Sequence, residues 1–249
     1  MNLDPTQRFS SRVEDYALYR PSYPGGVAGL LARECGLTAS SRIADIGSGT
    51  GLLARLFLDF GCEVWGVEPN REMRRSGERL LMDRDRFHSV DGCAEATTLP
   101  GRSVDFVTAG QAFHWFDPER ARAEFRRILR PAGWVVLVWN ERLRVPGFMT
   151  GYEDLVARYG PEHSRVEAHE LTRFFGGAER RLEKLPNQQQ FDLEGLRGRF
   201  LSSSYAPTPG TPGYGPLIEE LGCLFSEHQV DGRVTLLYET EVYFGTLRD

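Results

Sequence analysis

The stretch Arg42-Ile43-Ala44-Asp45-Ile46 followed by Gly47-Ser48-Gly49-Thr50-Gly51 constrains this chain more than any other. Five residues that suit a short strand run into three glycines at alternate positions. The next residues carry apolar side chains at Leu52, Leu53, Leu56, Phe57 and Phe60, one face of a helix that Gly61 stops. Glu63-Val64-Trp65-Gly66-Val67 then reads as a second strand. Strand, tight turn, helix and strand form the βαβ unit of a parallel sheet. Glycines in such a turn admit positive φ and clear side chains from a ligand's path. A helix start also carries N–H groups with no intrahelical partner, so it is expected to offer donors to a polar ligand. Seventeen residues beyond Gly51, Glu68 sits at the expected carboxyl end of the second strand, where a carboxylate can accept both hydroxyls of a ribose. Leu52 stands where the dinucleotide fingerprint needs its last glycine, which counts against NAD or FAD.

The alternation continues downstream. A helix is expected over 71–82, strands over 87–90 and 103–109, and a helix from Pro118 with arginines in its last turn. A turn follows at Pro131-Ala132-Gly133. The wholly apolar run Trp134-Val135-Val136-Leu137-Val138-Trp139 should then be buried on both faces. After Asn140 the pattern weakens: a strand over 182–191, helices over 193–201 and 217–225, and a last strand over 234–244 are the expected elements.

With 249 residues, 41% of them hydrophobic, the chain can bury a sizeable core without disulfide or metal. Cys35, Cys62, Cys93 and Cys223 are far apart and form no CxxC pair, so they read as free thiols in a reducing compartment. The histidines lack metal-ligand spacing; His163 and His169 read as solvated helix residues, and no metal site is expected. The net charge of −5 argues against tracking a nucleic-acid backbone. The first sixteen residues hold no apolar signal core, and no run is long enough to span a membrane. A cytoplasmic protein is expected. Oligomeric state cannot be read from the sequence.

At these residues the chain resembles a known family. Asp45 to Gly51 looks like motif I of the class I S-adenosylmethionine-dependent methyltransferases, and Val67-Glu68-Pro69-Asn70 with Met73 looks like their acidic motif. Asp91-Gly92-Cys93-Ala94-Glu95 is similar to the segment lining the adenine. Leu129-Arg130-Pro131-Ala132-Gly133 is similar to a family turn that has glycine where this chain has Ala132. A narrower likeness includes Phe9-Ser10, Tyr16, Tyr19-Arg20-Pro21-Ser22-Tyr23-Pro24 and Gly110-Gln111-Ala112-Phe113-His114-Trp115-Phe116. It runs toward the methyltransferase type 11 group and its trans-aconitate methyltransferase-like small-molecule enzymes.

The resemblance implies a Rossmann-like α/β fold: a doubly wound, seven-stranded, mostly parallel sheet with an antiparallel last strand and helical cap elements. It implies one domain over 1–249, with an arm at 1–24 closing over the donor, a donor-binding core at 40–140 and an acceptor-side elaboration at 141–215. It implies S-adenosylmethionine as donor and S-adenosylhomocysteine as product, with the methyl group passing directly, in line, to a small-molecule acceptor. Donor contacts are expected from Tyr19, Arg20, Asp45, Gly47, Ser48, Gly49, Gly51, Glu68, Pro69, Met73, Ala94, Glu95 and Gln111. Tyr16, Phe113, Trp115 and Asn140 are expected on the acceptor side. His114 is the candidate general base, and reads equally well as a structural histidine. Arg20 could grip a carboxylate of donor or acceptor, and Arg142, Arg144 and Arg199 could meet an anionic acceptor or simply face solvent. The main alternative is a non-catalytic protein that binds S-adenosylmethionine as a regulator or partner subunit. A nucleotide-dependent oxidoreductase and an RNA methyltransferase are further alternatives.

Overall fold

The computed structural model describes residues 13–160, 168–177, 180–203 and 205–247. Phe9, Ser10 and His163 lie outside the described residues. Nine helices and seven strands follow one another among those described. They are α1 (Val13–Tyr19), α2 (Gly26–Cys35), β1 (Arg42–Ile46), α3 (Leu52–Phe60), β2 (Glu63–Val67), α4 (Arg71–Leu80), β3 (Phe87–Val90) and β4 (Val104–Gly110). After a 3₁₀ turn at Phe113–Trp115 come α5 (Pro118–Ile128), β5 (Leu129–Arg142), α6 (Phe148–Tyr159), α7 (Ala168–Phe174), β6 (Arg181–Phe191), α8 (Leu193–Leu201), α9 (Tyr214–His228) and β7 (Val234–Gly245).

The strands form one seven-stranded sheet in the order β3-β2-β1-β4-β5-β7-β6. The first five are parallel, and β7 runs antiparallel between β5 and β6. The chain winds outward from β1 to β3, then returns to lay β4 on the other side of β1. Strand order therefore reverses between β1 and β4, and the crevice beyond their carboxyl ends is where an open α/β sheet takes ligands.

The two-residue period of β5 explains its apolar run. Val135, Leu137 and Trp139 enter the core beneath α5 and α7, while Val136 and Val138 enter the core beneath α2 and α3. A third core joins α6, α8 and α9 to the far ends of β6 and β7 through Tyr152, Leu196, Phe200, Leu221 and Tyr238. The sequence pattern gave little sign of α6, because its apolar residues alternate with charge and glycine. β6 carries Pro186 without penalty because it is an edge strand, bonded only to β7.

Three local devices brace the fold around the sheet. The β4–β5 register shifts between Val104 and Phe106, and this irregularity absorbs the expected turn at 131–133. Ala132 takes φ 63° there, a backbone region in which a side chain costs energy and glycine does not. Asn70 caps α4, accepting from Glu72 N and Met73 N at 3.0 Å, and Asp117 caps α5 ahead of Pro118. Glu124 of α5 fastens the loop after β3: its Oε1 accepts from Thr97 N (2.8 Å) and Thr97 Oγ1 (2.5 Å), and Arg127 bonds both its oxygens.

The Arg127 guanidinium holds the Glu124 carboxyl down to about 2, with the Thr97 hydroxyl and amide helping against burial. Because that value lies below the ordinary one of an unfolded chain, the stability it confers is complete above about pH 4.5 and is lost as pH falls toward 2. Glu124→Gln should therefore cost about 2 kcal/mol in urea unfolding at pH 7. The gap to wild type should close on acidification through that window; a gap independent of pH would assign the loss to packing instead.

Candidate active site at the carboxyl ends of β1, β2 and β4

Asp45 sits next to the end of β1 and is 1% exposed. The β1–β4 register sets Thr108 directly opposite it, and Thr108 Oγ1 donates to Asp45 Oδ1 at 2.9 Å. The second oxygen, Oδ2, is buried and meets no donor in hydrogen-bonding geometry. Burial pushes this carboxyl up to about 7. The Thr108 hydroxyl and the Ala54 N–H in the first turn of α3 resist, and Glu68 adds to the rise. A buried polar atom without a partner is uncommon and asks for a ligand or water.

Glu68 is held differently. Its Oε2 accepts from Gly49 N at 2.9 Å and its Oε1 from Asn70 N at 2.8 Å. Each oxygen keeps a further lone pair, so the two amides fix the carboxylate in place without exhausting it. Burial raises its pKa, against the same two N–H groups and Arg74. Arg74 also braces the neighbouring strand ends, with Nη1 on Glu68 O (2.8 Å) and Nη2 on Asp91 Oδ2 (2.8 Å).

The glycine turn spends its own donors on the protein. Gly47 N and Ser48 N donate to Val67 O (2.8 and 3.2 Å), Gly49 N to Glu68, and Gly51 N to Ser48 O (2.8 Å). These four donors are consumed within the protein because the turn must lock β1 onto β2. What it offers a ligand is a bare backbone surface. Gly47, at φ 66°, also lets the 110–116 segment close in: a Cβ there would lie 2.7 Å from that of Ala112.

The remaining candidates fall into three places. Pro69, Met73, Ala94 and Glu95 lie near Glu68 in sequence or across the β2 and β3 ends. Met73 and Ala94 are buried, a Cβ on Gly49 would meet the Met73 methyl at 3.3 Å, and Glu95 Oε1 accepts from Asp117 N at 2.7 Å. Gln111 takes φ 56°, its N donates to Val138 O (2.9 Å), and its Nε2 reaches Asn140 O (3.2 Å). Asn140 anchors the arm, donating to Ser22 O at 3.3 Å and accepting from Thr240 and Asn187. His114 and Trp115 are exposed, with ring centroids 4.7 Å apart.

Two aromatic residues lie elsewhere than expected. Phe113 is turned into the core, 2% exposed, with its ring edge-on to Phe174 and Phe116, so it walls no open space. Tyr19 lays its ring on α8, where any side chain at Gly198 would collide with it; it belongs with the third core rather than the glycine turn. Tyr16 and Arg20 pair by a cation–π contact of 4.9 Å. α1 as a whole lies against α4 on one side and α8 on the other, spanning the crevice.

Tyr23 was not singled out from the sequence. Its hydroxyl rests on Gly110, where a Cβ would overlap it, and both Asp45 and Arg20 act on it electrostatically. Thr108, Asn70 and Arg74 were missed too. The Asx pattern after a strand could have found Asn70, whereas Thr108 is visible only through the register. Among the described residues, no group of three His, Cys, Asp or Glu side chains is placed to hold a metal.

Comparison with known proteins fits this geometry. Residues 44–137 match the family described as Methyltransferase domain. An uncharacterized methyltransferase of Mycobacterium tuberculosis is 36% identical over 164 residues, 66% of this chain and 65% of that protein. One of Schizosaccharomyces pombe is 31% identical over 201 residues, 78% of this chain and 77% of that one. The chain belongs to the class I S-adenosylmethionine-dependent methyltransferases. A putative type II methyltransferase from Anaeromyxobacter dehalogenans shares the fold, with a TM-score of 0.71 at 22% identity, covering 92% of this chain and 98% of that one. For a methyltransferase of this class the donor carries an ammonium beside a carboxylate, a ribose and an adenine. The orphaned Asp45 oxygen, the fixed Glu68 carboxylate and the cradle at Gly49 and Met73 suit the ammonium, the ribose and the adenine in turn.

The raised Asp45 carboxyl has a consequence without any ligand. Its unfolded counterpart ionises near pH 4, so between about 4 and 7 the folded chain holds a proton that the unfolded chain has lost. Stability therefore falls as pH rises through that window. Asp45→Asn, neutral throughout, should match wild type at pH 4 and exceed it by a few kcal/mol at pH 8. Thermal unfolding across pH checks this, and a variant less stable than wild type at pH 8 contradicts it.

Proposed function

We propose that this chain transfers a methyl group from S-adenosylmethionine to a small-molecule acceptor. The observation that carries the reading is the buried, half-partnered Asp45 carboxyl beside the fixed Glu68 carboxylate, at the switch point of the sheet. When bound, the donor supplies an electrophilic methyl carbon on a sulfonium: the acceptor's lone pair bonds to it, the C–S pair returns to sulfur, and S-adenosylhomocysteine leaves.

The chain's residues then have separable tasks. Asp45 would hold the donor ammonium, whose charge favours the ionised carboxylate and fills the orphaned position. Glu68 would take the ribose hydroxyls on the lone pairs its amide partners leave open. Met73 and Ala94 would pack on the adenine. α1 supports a small acceptor, since a helix spanning α4 and α8 closes the crevice to a large one and excludes water from it. Positioning two reactants in such a crevice accounts for about 7–11 kcal/mol of the barrier in well-oriented cases. His114, exposed at the rim, would serve as base only for an acceptor that starts protonated.

Titration calorimetry with S-adenosylhomocysteine, together with transfer of a labelled methyl group into a metabolite mixture, tests the reading. Binding should tighten as pH rises to about 7 and then level off, because the ammonium requires Asp45 ionised. Asp45→Asn should weaken it about 10- to 100-fold. Binding without turnover on any acceptor would favour a regulator or partner subunit instead. His114→Ala should cost roughly 10²–10⁴ in rate on a neutral hydroxyl or amine and little on a carboxylate. Equal losses on both acceptor types would remove His114 from proton transfer.

A further inference from the structure

Beyond Tyr23, on the side of the crevice away from Asp45, three arginines from distant parts of the chain converge in the interior. Arg20 follows α1 in the arm, Arg142 ends β5, and Arg199 projects from α8. Arg199 is 2% exposed: its Nε donates to Tyr238 Oη at 3.1 Å, and its Nη1 is buried with no partner. Arg20 spends Nη2 on Ser202 O at 3.2 Å, and its Nε is likewise buried and unpartnered. Arg142 is paired with Glu153. The three act on one another, and Glu153 is the one carboxylate among the described residues that acts on any of them; their other electrostatic neighbours are tyrosines. Among the described residues, three guanidinium charges against one carboxylate leave two positive charges uncompensated.

Such an arrangement is costly in an empty protein. A buried charge is normally paired, and a guanidinium cannot escape by losing its proton. Tyrosine hydroxyls solvate it only in part. The cost is repaid when something brings negative charge to the two open N–H groups; the donor's single carboxylate can meet at most one of the two charges, which leaves one for the acceptor. The place is also right: the Tyr23 phenol, seated on Gly110 at the end of β4, feels the charge of both Arg20 and Asp45, so the trio borders the donor crevice. The arm that carries Arg20 is tied over the same space by Asn140 and Asn187, both donating to Ser22 O.

We propose that Arg20 and Arg199, with Arg142 adding charge, form the acceptor-binding site, and that the acceptor is a small molecule bearing an anionic oxyanion group. This rests on the methyltransferase reading above. Short dicarboxylates and phosphate monoesters share that chemistry, since both present paired oxygens to guanidinium forks.

The test uses the whole chain saturated with S-adenosylhomocysteine at constant ionic strength, with glutarate and inorganic phosphate as probes followed by calorimetry and thermal shift. At least one probe should bind with a stoichiometry of one, and the tighter of the two names the oxyanion class. Arg199→Met should weaken that probe about tenfold or more while leaving S-adenosylhomocysteine affinity unchanged. The same variant should melt no lower than wild type when empty, because it removes an uncompensated buried charge. If Arg199→Met does not fold, Arg20→Met carries the same expectation for the probe. Failure of both probes to bind, or binding unaffected by the folded variant, overturns the inference. Failure of S-adenosylhomocysteine itself to bind wild type would instead overturn the donor reading, so the two failures are distinct.

Discussion

The pairing of β1 with β4 places a carboxyl where no water can easily satisfy it, and much of the crevice is organised around that fact. Asp45 cannot turn away, because its strand is bonded on both sides, to β2 and to β4. Thr108 satisfies one oxygen because the register sets it opposite; the other is left to whatever enters. Glu68, one strand over, meets the opposite fate. It lies just past the end of β2, where the chain bends, and the amides of Gly49 and Asn70 reach both its oxygens. One acid thus keeps an open oxygen, as the proposed ammonium contact needs, and the other is fixed in place, as the proposed ribose contact needs. The difference comes from backbone geometry rather than residue type.

The glycine turn serves this division. Its donors go to Val67, Glu68 and Ser48, which binds β1, β2 and α3 into a single rigid corner. Rigidity matters more there than extra ligand contacts, since a misplacement of an ångström in a two-reactant crevice costs rate steeply. The same economy appears at Gly110 and Gly198. Each lacks a side chain so that an aromatic ring from the arm, Tyr23 or Tyr19, can lie on the backbone.

Legibility in the sequence followed the range of the interactions. The strand–turn–helix at 42–60, the acidic residue at 68 and the buried strand at 135–139 are local patterns, and their elements formed where the pattern placed them. β6 and β7 were visible as strands because alternation survives even at an edge. Phe113 and Tyr19 went elsewhere because an aromatic side chain in a loop carries no sign of which way it will turn. Phe113 found Phe174 and Tyr19 found Gly198, partners 61 and 179 positions away in a chain whose pairing only the fold decides. Ala132 shows the converse: a family turn keeps its shape with the wrong residue, at positive φ, because the strands on either side hold it.

The arginines were the least legible feature, and the reason is physical. An isolated arginine in a sequence reads as a solvated charge, and positions 20, 142 and 199 share no spacing that would join them. Only the docking of α8 beneath the arm brings them within reach of one another. Once buried, they give the crevice an electrical asymmetry: carboxyls at the strand ends, guanidiniums under the helices, and the protonated Tyr23 phenol between, its ionisation raised chiefly by burial. Each half keeps a buried polar atom without a partner: Asp45 Oδ2 on one side, Arg20 Nε and Arg199 Nη1 on the other. A cation against Asp45 and an anion against Arg20 and Arg199 would relieve both, so ligands that bring those two charges would recover stability that the empty fold gives up.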